Sequence, residues 1–132
     1  MDFCKINGIV YDVVVTEIEE SFSILYSENT GRTMTRGARM SLDPLGTFFT
    51  HTVNFRRSKD NFKAFDDLLD FVSTPRYDGV PVEIVHNQTV LKYDAYISNG
   101  SRKLKRIDKN KNNVYWNEMV LNFIPMEAQV KV

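Results

Sequence analysis

Histidine, cysteine, clustered carboxylates and glycine-rich loops are where a chain of this kind would carry chemistry, and none of them is spaced for it. His51 and His86 are the only two histidines. Each falls in a segment patterned as a strand, with no cysteine or carboxylate at ligand spacing, so both read as structural or exposed groups rather than metal ligands. Cys4, the single cysteine, has no local histidine to activate it and reads as an inert thiol. Asp66, Asp67 and Asp70 surround Lys63 at three- and four-residue offsets, the pattern of a solvated, ion-paired helix face and not of a cation site. Gly31 and Gly37 do not form a phosphate cradle, because no Gly-Lys-Ser/Thr follows and no strand-to-helix turn lies there. The run from Arg102 to Arg106 is short and lacks interleaved aromatics, so it reads as a solvated or edge strand rather than a nucleic-acid surface. No catalytic, metal or cofactor residue is nominated, and no enzyme is expected.

Two features remain, and both suggest contact with another protein. The stretch Ser27 to Gly46 holds three glycines, one proline and three arginines, with few apolar residues at a regular period. A structureless loop of nearly twenty residues is uncommon in a compact domain and is usually functional. Arginine and methionine are enriched at interfaces, which singles out Asn29, Gly31, Arg32, Met34, Arg36 and Arg39. Gly31 and Gly37 are expected to supply bends of positive φ, and Arg32 to place its fork on a neighbouring subunit. The bland alternative is a loop folded back on its own sheet. The other feature is Phe71, which lies opposite Phe62 on a helical wheel and would form an apolar shoulder with Ala64 and Leu68 unless the chain's own loop covers it.

The elements that position these residues follow from periodicity. One helix is expected from Ser58 to about Ser73, with Ser58 as N-cap. Phe62, Phe65, Leu68, Leu69 and Val72 share an arc of about 120°, and Thr74-Pro75 ends it. Thr47 to Phe55 alternates as a strand with Phe49, His51, Val53 and Phe55 on one face. Asn7-Gly8 signals a hairpin between Phe3–Ile6 and Ile9–Val15, followed by a separate strand from about Ile18 to Tyr26. Val80–His86 and Thr89–Ile97 form a hairpin across Asn87-Gln88. Asn99-Gly100 is a tight turn into the basic strand Ser101–Ile107. Val114–Ile124 is the last long strand, with Tyr115, Met119, Leu121 and Phe123 inward. The fold class is therefore mainly β: one domain over residues 1–132, a sandwich or split barrel with one flanking helix.

Composition narrows the function class. A chain of 132 residues buries roughly two-thirds of its unfolded surface. The 17 basic and 17 acidic residues cancel, so net charge gives no reason to expect sequence-specific nucleic-acid binding or a membrane partner. It weakly favours association. One cysteine fits a reducing cytoplasm, and neither a membrane span nor a signal segment is apparent.

A resemblance adds to this. Ser21-Phe22-Ser23-Ile24-Leu25, Asn29-Thr30-Gly31-Arg32-Thr33-Met34, Leu45-Gly46-Thr47-Phe48-Phe49, Phe65-Asp66-Asp67-Leu68-Leu69 and Ser73-Thr74-Pro75 occur in that order. Tyr93-Asp94-Ala95-Tyr96-Ile97-Ser98-Asn99-Gly100, Val114-Tyr115-Trp116-Asn117 and Phe123-Ile124-Pro125-Met126-Glu127 follow. Together they resemble a family of small structural tail or baseplate proteins of long-tailed phages and prophages of Firmicutes, whose members often carry glycines where this chain has Asn117-Glu118. The order of elements also resembles the phage tail-tube fold, in which subunits form rings and the long loop reaches a neighbour. The resemblance implies a virion tail component assembled in the host cytoplasm, whose partners are itself, as a ring-forming homo-oligomer, and other tail proteins. The alternative is a stand-alone bacterial interaction module without a virion role.

Overall fold

The computed structural model describes residues 4–59, 61–111 and 113–132. Phe3, expected at the start of the first strand, lies outside them. Among the described residues the chain is mainly β, with one helix. In order it runs β1 (Cys4–Ile6), β2 (Val13–Tyr26), β3 (Gly31–Arg32), β4 (Met40–Ser41), β5 (Pro44–Arg57) and α1 (Phe62–Ser73). Then come β6 (Val80–His86), β7 (Thr89–Tyr96), β8 (Gly100–Asp108), β9 (Asn113–Pro125) and β10 (Val130–Lys131).

All pairings are antiparallel. One layer is β2–β5–β9–β8, with β10 beside the first part of β5. The other is β1–β6–β7. β9 ties them together, because its last residues, Ile124 and Pro125, leave β5 and pair with Tyr96 and Ala95 of β7. Alternation decides what lies between the layers: Val53 and Phe55 from β5, Val80, Val82 and Ile84 from β6, and Met119, Leu121 and Phe123 from β9 are all buried. From α1, Phe65, Leu68 and Val72 complete the same core. Phe62, Leu69 and Tyr115 are only half-buried.

Several expectations need correction. The helix starts at Phe62, not Ser58, and its cap is Asn61, whose Oδ1 accepts from the Ala64 N–H at 3.1 Å. Lys59 adopts a left-handed φ of 45°, and Asn61 N–H bonds back to the Ser58 carbonyl, so the chain turns once before the helix begins. Asn61→Ala is expected to cost about 0.5–2 kcal/mol, while Ser58→Ala stays within about 0.5 kcal/mol; urea denaturation of the two variants checks this.

Asn7 and Gly8 do adopt positive φ (54° and 75°), but the turn carries one bridge, between Ile6 and Ile9, and its arms then separate. β1 joins β6, and β2 is one long strand rather than two. Its sequence alternation breaks because the register skips Thr16, which is a bulge opposite Asn54. Asn99-Gly100 does not fold β8 back on β7: Tyr96 pairs with Ile124 and Gly100 with Leu121, so β8 runs on from β7 in the same sense along the edge of β9 opposite β5. Opposite it, the β9 register skips Asn117, a bulge whose φ is not positive.

Candidate interaction surface

β2 and β5 run side by side for fourteen residues each, longer than the core they cover. From Glu19 onward every β2 residue is exposed. The outer half of the pair is therefore an arm exposed along β2, while its β5 strand is flanked by β10 and partly covered. Directly opposed residues share a face, so one side presents Phe22 with Phe49 and Ile24 with Thr47. The other presents Ser23 with Phe48 and Leu25 with Gly46. Phe22 is 68% exposed and Leu45 54%. Contiguous apolar groups on both faces of one arm are what a docking element shows and an isolated surface strand avoids.

The loop at the end of the arm is not structureless, as its composition suggested. β3 pairs with β4 through Gly31–Ser41 and Arg32–Met40. Asp43 N–H donates to Thr30 Oγ1 at 2.9 Å, and Ser27 Oγ donates to the Asp43 carboxylate. Polar cross-bonds replace the apolar alternation that would have revealed these strands. Gly31 is a strand residue without positive φ; the left-handed bends are Gly37 (φ 90°) and Ala38 (φ 47°). Asn29 N–H bonds to Ser27 Oγ, and Arg32 Nη1 donates to the Ala38 carbonyl at 3.3 Å, bracing its own loop. Met34 is fully exposed, and Arg36 and Arg39 are exposed beside it. The structure thus brings Arg32, Met34, Arg36 and Arg39 together at the tip.

Phe71 is not with them. It lies on α1, which begins beyond the opposite end of β5, a strand spanning roughly 45 Å at about 3.3 Å per residue. Its ring packs partly against the core, and the Arg76 guanidinium, from the loop after the helix, sits 4.0 Å from its centroid. Leu68, expected beside it on a shoulder, is fully buried.

The four-strand layer ends in two open strands. Among the described residues, β2 pairs only with β5, and β8 only with β9. β2 carries Glu17, Glu19 and Glu20 and no basic residue, whereas β8 carries Arg102, Lys103, Lys105 and Arg106 with one acid, Asp108, at its end. The basic strand is an edge, but it is not uniformly solvated. Arg102 is largely buried: it donates to Asp66 of the helix at 2.8 Å, and its guanidinium lies 4.1 Å from the Trp116 ring. Stacking on tryptophan lets an arginine bury its flat faces while its edge keeps a carboxylate partner.

Periodicity put His51 on one face with Val53 and Phe55; that face is the core, and His51 is fully buried in it. What the sequence did not disclose is its partners. His51 Nε2 lies 2.8 Å from Glu20 Oε2, and His86 Nδ1 lies 2.7 Å from the same oxygen. His51 Nδ1 is 2.7 Å from the Tyr93 hydroxyl. Burial holds His51 below the usual histidine range despite the carboxylate beside it. Burial also raises Glu20, but the hydrogen bonds from the two imidazoles outweigh this and hold the carboxyl below its usual value. Burial pushes the Tyr93 hydroxyl well up and the Cys4 thiol to about 11, leaving that thiol protonated. Glu20, His51, His86 and Tyr93 come from four strands, and only the rule that a buried polar ring needs partners pointed to them. Among the described residues, no three or more histidine, cysteine or acidic side chains are arranged to hold a metal ion.

No protein-family model matches this chain, and no curated protein matches it either.

Proposed function

We propose that this chain is a structural component of a phage or prophage tail, in the tube-end or baseplate region, acting by self-association and docking to other tail proteins. The observation that carries the self-association is the four-strand layer with an acidic open edge at β2 and a basic open edge at β8. Placed side by side in the same sense, β8 of one copy meets β2 of the next, and backbone hydrogen bonds continue the sheet across the boundary. Such a contact joins two different surfaces, so repetition generates a ring if the rotation closes and a filament if it does not. The apolar arm beyond the core then lies along the same boundary, where burying about 800 Å² per partner is the ordinary requirement for a stable contact. The virion role is supported by the resemblance of the segments from Ser21 to Glu127 to small tail proteins.

Light scattering across a concentration series tests the association, and a rising mass is expected. Phe22→Asp should return the protein to a monomer while leaving its melting temperature within about 2 °C, because the ring is mostly exposed. A strictly monomeric wild type, absent from purified tail particles by mass spectrometry, would leave the interaction-module reading in its place.

A further inference from the structure

The arm leaves the body at Glu20, where the two histidines and the tyrosine converge. The β5 side is held separately: Gln129 Oε1 accepts from Phe49 N–H at 3.0 Å, its Nε2 donates to the Phe49 carbonyl at 2.9 Å, and β10 pairs with Gly46 and Thr47 beyond it. On the β2 side the link to the second layer is the Glu20 carboxylate, through His86 at the end of β6. The His86 ring packs against Phe49 with centroids 4.9 Å apart, and Phe49 lies 6.3 Å from Phe22 on the arm. Hydrogen bonds and ring contacts therefore run unbroken from the exposed arm to buried His51 and Tyr93.

One arrangement of protons satisfies every group in this cluster. Glu20 is ionised and accepts at Oε2 from both imidazoles. His51 carries its proton on Nε2, which leaves Nδ1 as the acceptor for the Tyr93 O–H. A second proton on His51 would sit on Nδ1 and face the Tyr93 hydroxyl, forcing that hydroxyl to turn and lose its acceptor. Protonating Glu20 would remove the charge that both imidazoles address. Either event loosens the same joint.

We propose that the Glu20–His51–His86–Tyr93 cluster is an acid-released latch that holds the β2 strand of the arm in its docking position. The surroundings favour a response to acid alone. Facing His51 are Glu20 from β2, His86 from β6 and Tyr93 from β7, with Cys4 of β1 near Tyr93, while β9 presents Phe123 directly opposite. Glu83 and Lys92 point to the other side of their sheet, where they pair with each other at 3.5 Å. Lys5 of β1 is in register with Glu83 on that same other side, and among the described residues no lysine or arginine of these elements is in register with the cluster.

The sign follows from the direction of each shift. His51 is depressed in the fold, so below its ordinary value near 6.5 the opened form binds a proton that the latched form refuses. The latch therefore weakens as pH falls below about 6.5. Glu20, also depressed, adds its own loss further down, below its ordinary value near 4.5.

The regulatory role rests on the self-association proposed above, but the latch is read on dilute monomer. Hydrogen exchange, corrected for intrinsic rates, is followed from pH 7.5 to 5 at the amides of residues 20–26 on β2, with the core strands β6 and β9 as reference. The expected result is a loss of arm protection approaching tenfold per pH unit below about 6.5 while the core stays protected. Glu20→Gln and the half-exposed His86→Gln should each give an arm that is already open at pH 7.5. Their pH dependence should be reduced at least threefold. Arm protection that is independent of pH in the wild type, or a Glu20→Gln profile superimposable on it, overturns the latch. Light scattering of the wild type at pH 7.5 reads association separately, so loss of one reading leaves the other standing.

Discussion

Phe65→Ala is expected to cost about 3–5 kcal/mol, a large part of the stability of a domain of this size. The helix is fastened to the sheets by only three buried side chains, Phe65, Leu68 and Val72, and Phe65 is the largest of them. Its ring also underlies the Arg102 guanidinium, 5.9 Å from the centroid, next to the Asp66 and Trp116 contacts that tie β8 to the helix. Truncation leaves a cavity under that arginine as well as removing apolar contact. The melting temperature should fall by on the order of 10–20 °C, with the urea m-value unchanged, because the native fold is retained. Phe71→Ala provides the contrast, as its ring is only half-buried and is capped by Arg76. It should lose about 1 kcal/mol. Equal losses at the two positions would mean that the helix docks through a broader face than the one buried here.

The contrast between Phe65 and Phe71 was legible before any coordinates, because helix periodicity is local. The same holds for the alternating faces of β5 and β9 and for the β6–β7 hairpin across Asn87-Gln88, where Asn87 adopts a left-handed φ of 53°. Each is decided by residues within a few positions of one another. What escaped the sequence depends on partners far along the chain. The helix start moved because Arg57 bonds to the Lys59 carbonyl and Asn61 reaches Asp12, contacts that favour one more turn before the cap. The bulge at Thr16 merges two expected strands, and a single inserted residue disguises continuous pairing as a break. The loop beyond Tyr26 folds on polar bonds between Ser27, Thr30 and Asp43, which leave no hydrophobic period to detect. The cluster at the arm's root joins residues 20, 51, 86 and 93, and nothing short of the strand order brings them together. Of the residues that composition singled out, Arg32, Met34, Arg36 and Arg39 share the loop tip. The open edges became visible only once β2 and β8 were seen to have one neighbour each.

Reversing the charge of either open edge is expected to abolish association, and reversing both is expected to restore it. In one variant Glu17→Lys and Glu19→Lys make β2 basic; in a second, Lys103→Glu and Lys105→Glu make β8 acidic. Each alone sets like charges against each other along the shared boundary, where a misplaced pair costs several kcal/mol. The combined variant carries a basic β2 and an acidic β8, so complementarity returns with the partners exchanged. The monomer should barely respond, since Glu17, Glu19, Lys103 and Lys105 are all exposed. Among the described residues the one ion pair lost, Lys103 with Glu118 at 3.8 Å, lies at the surface and contributes little. Glu20 is left untouched because it serves the cluster at the arm's root. Raising salt from 0.05 to about 0.5 M should weaken the wild-type and doubly reversed assemblies alike, as screening shortens the reach of exposed charges. Light scattering at low salt reads all four proteins. An unchanged mass in either single-edge variant would show that the edges do not meet. Loss in both without recovery in the combination would show that the substitutions act on something other than a pairing of β2 with β8.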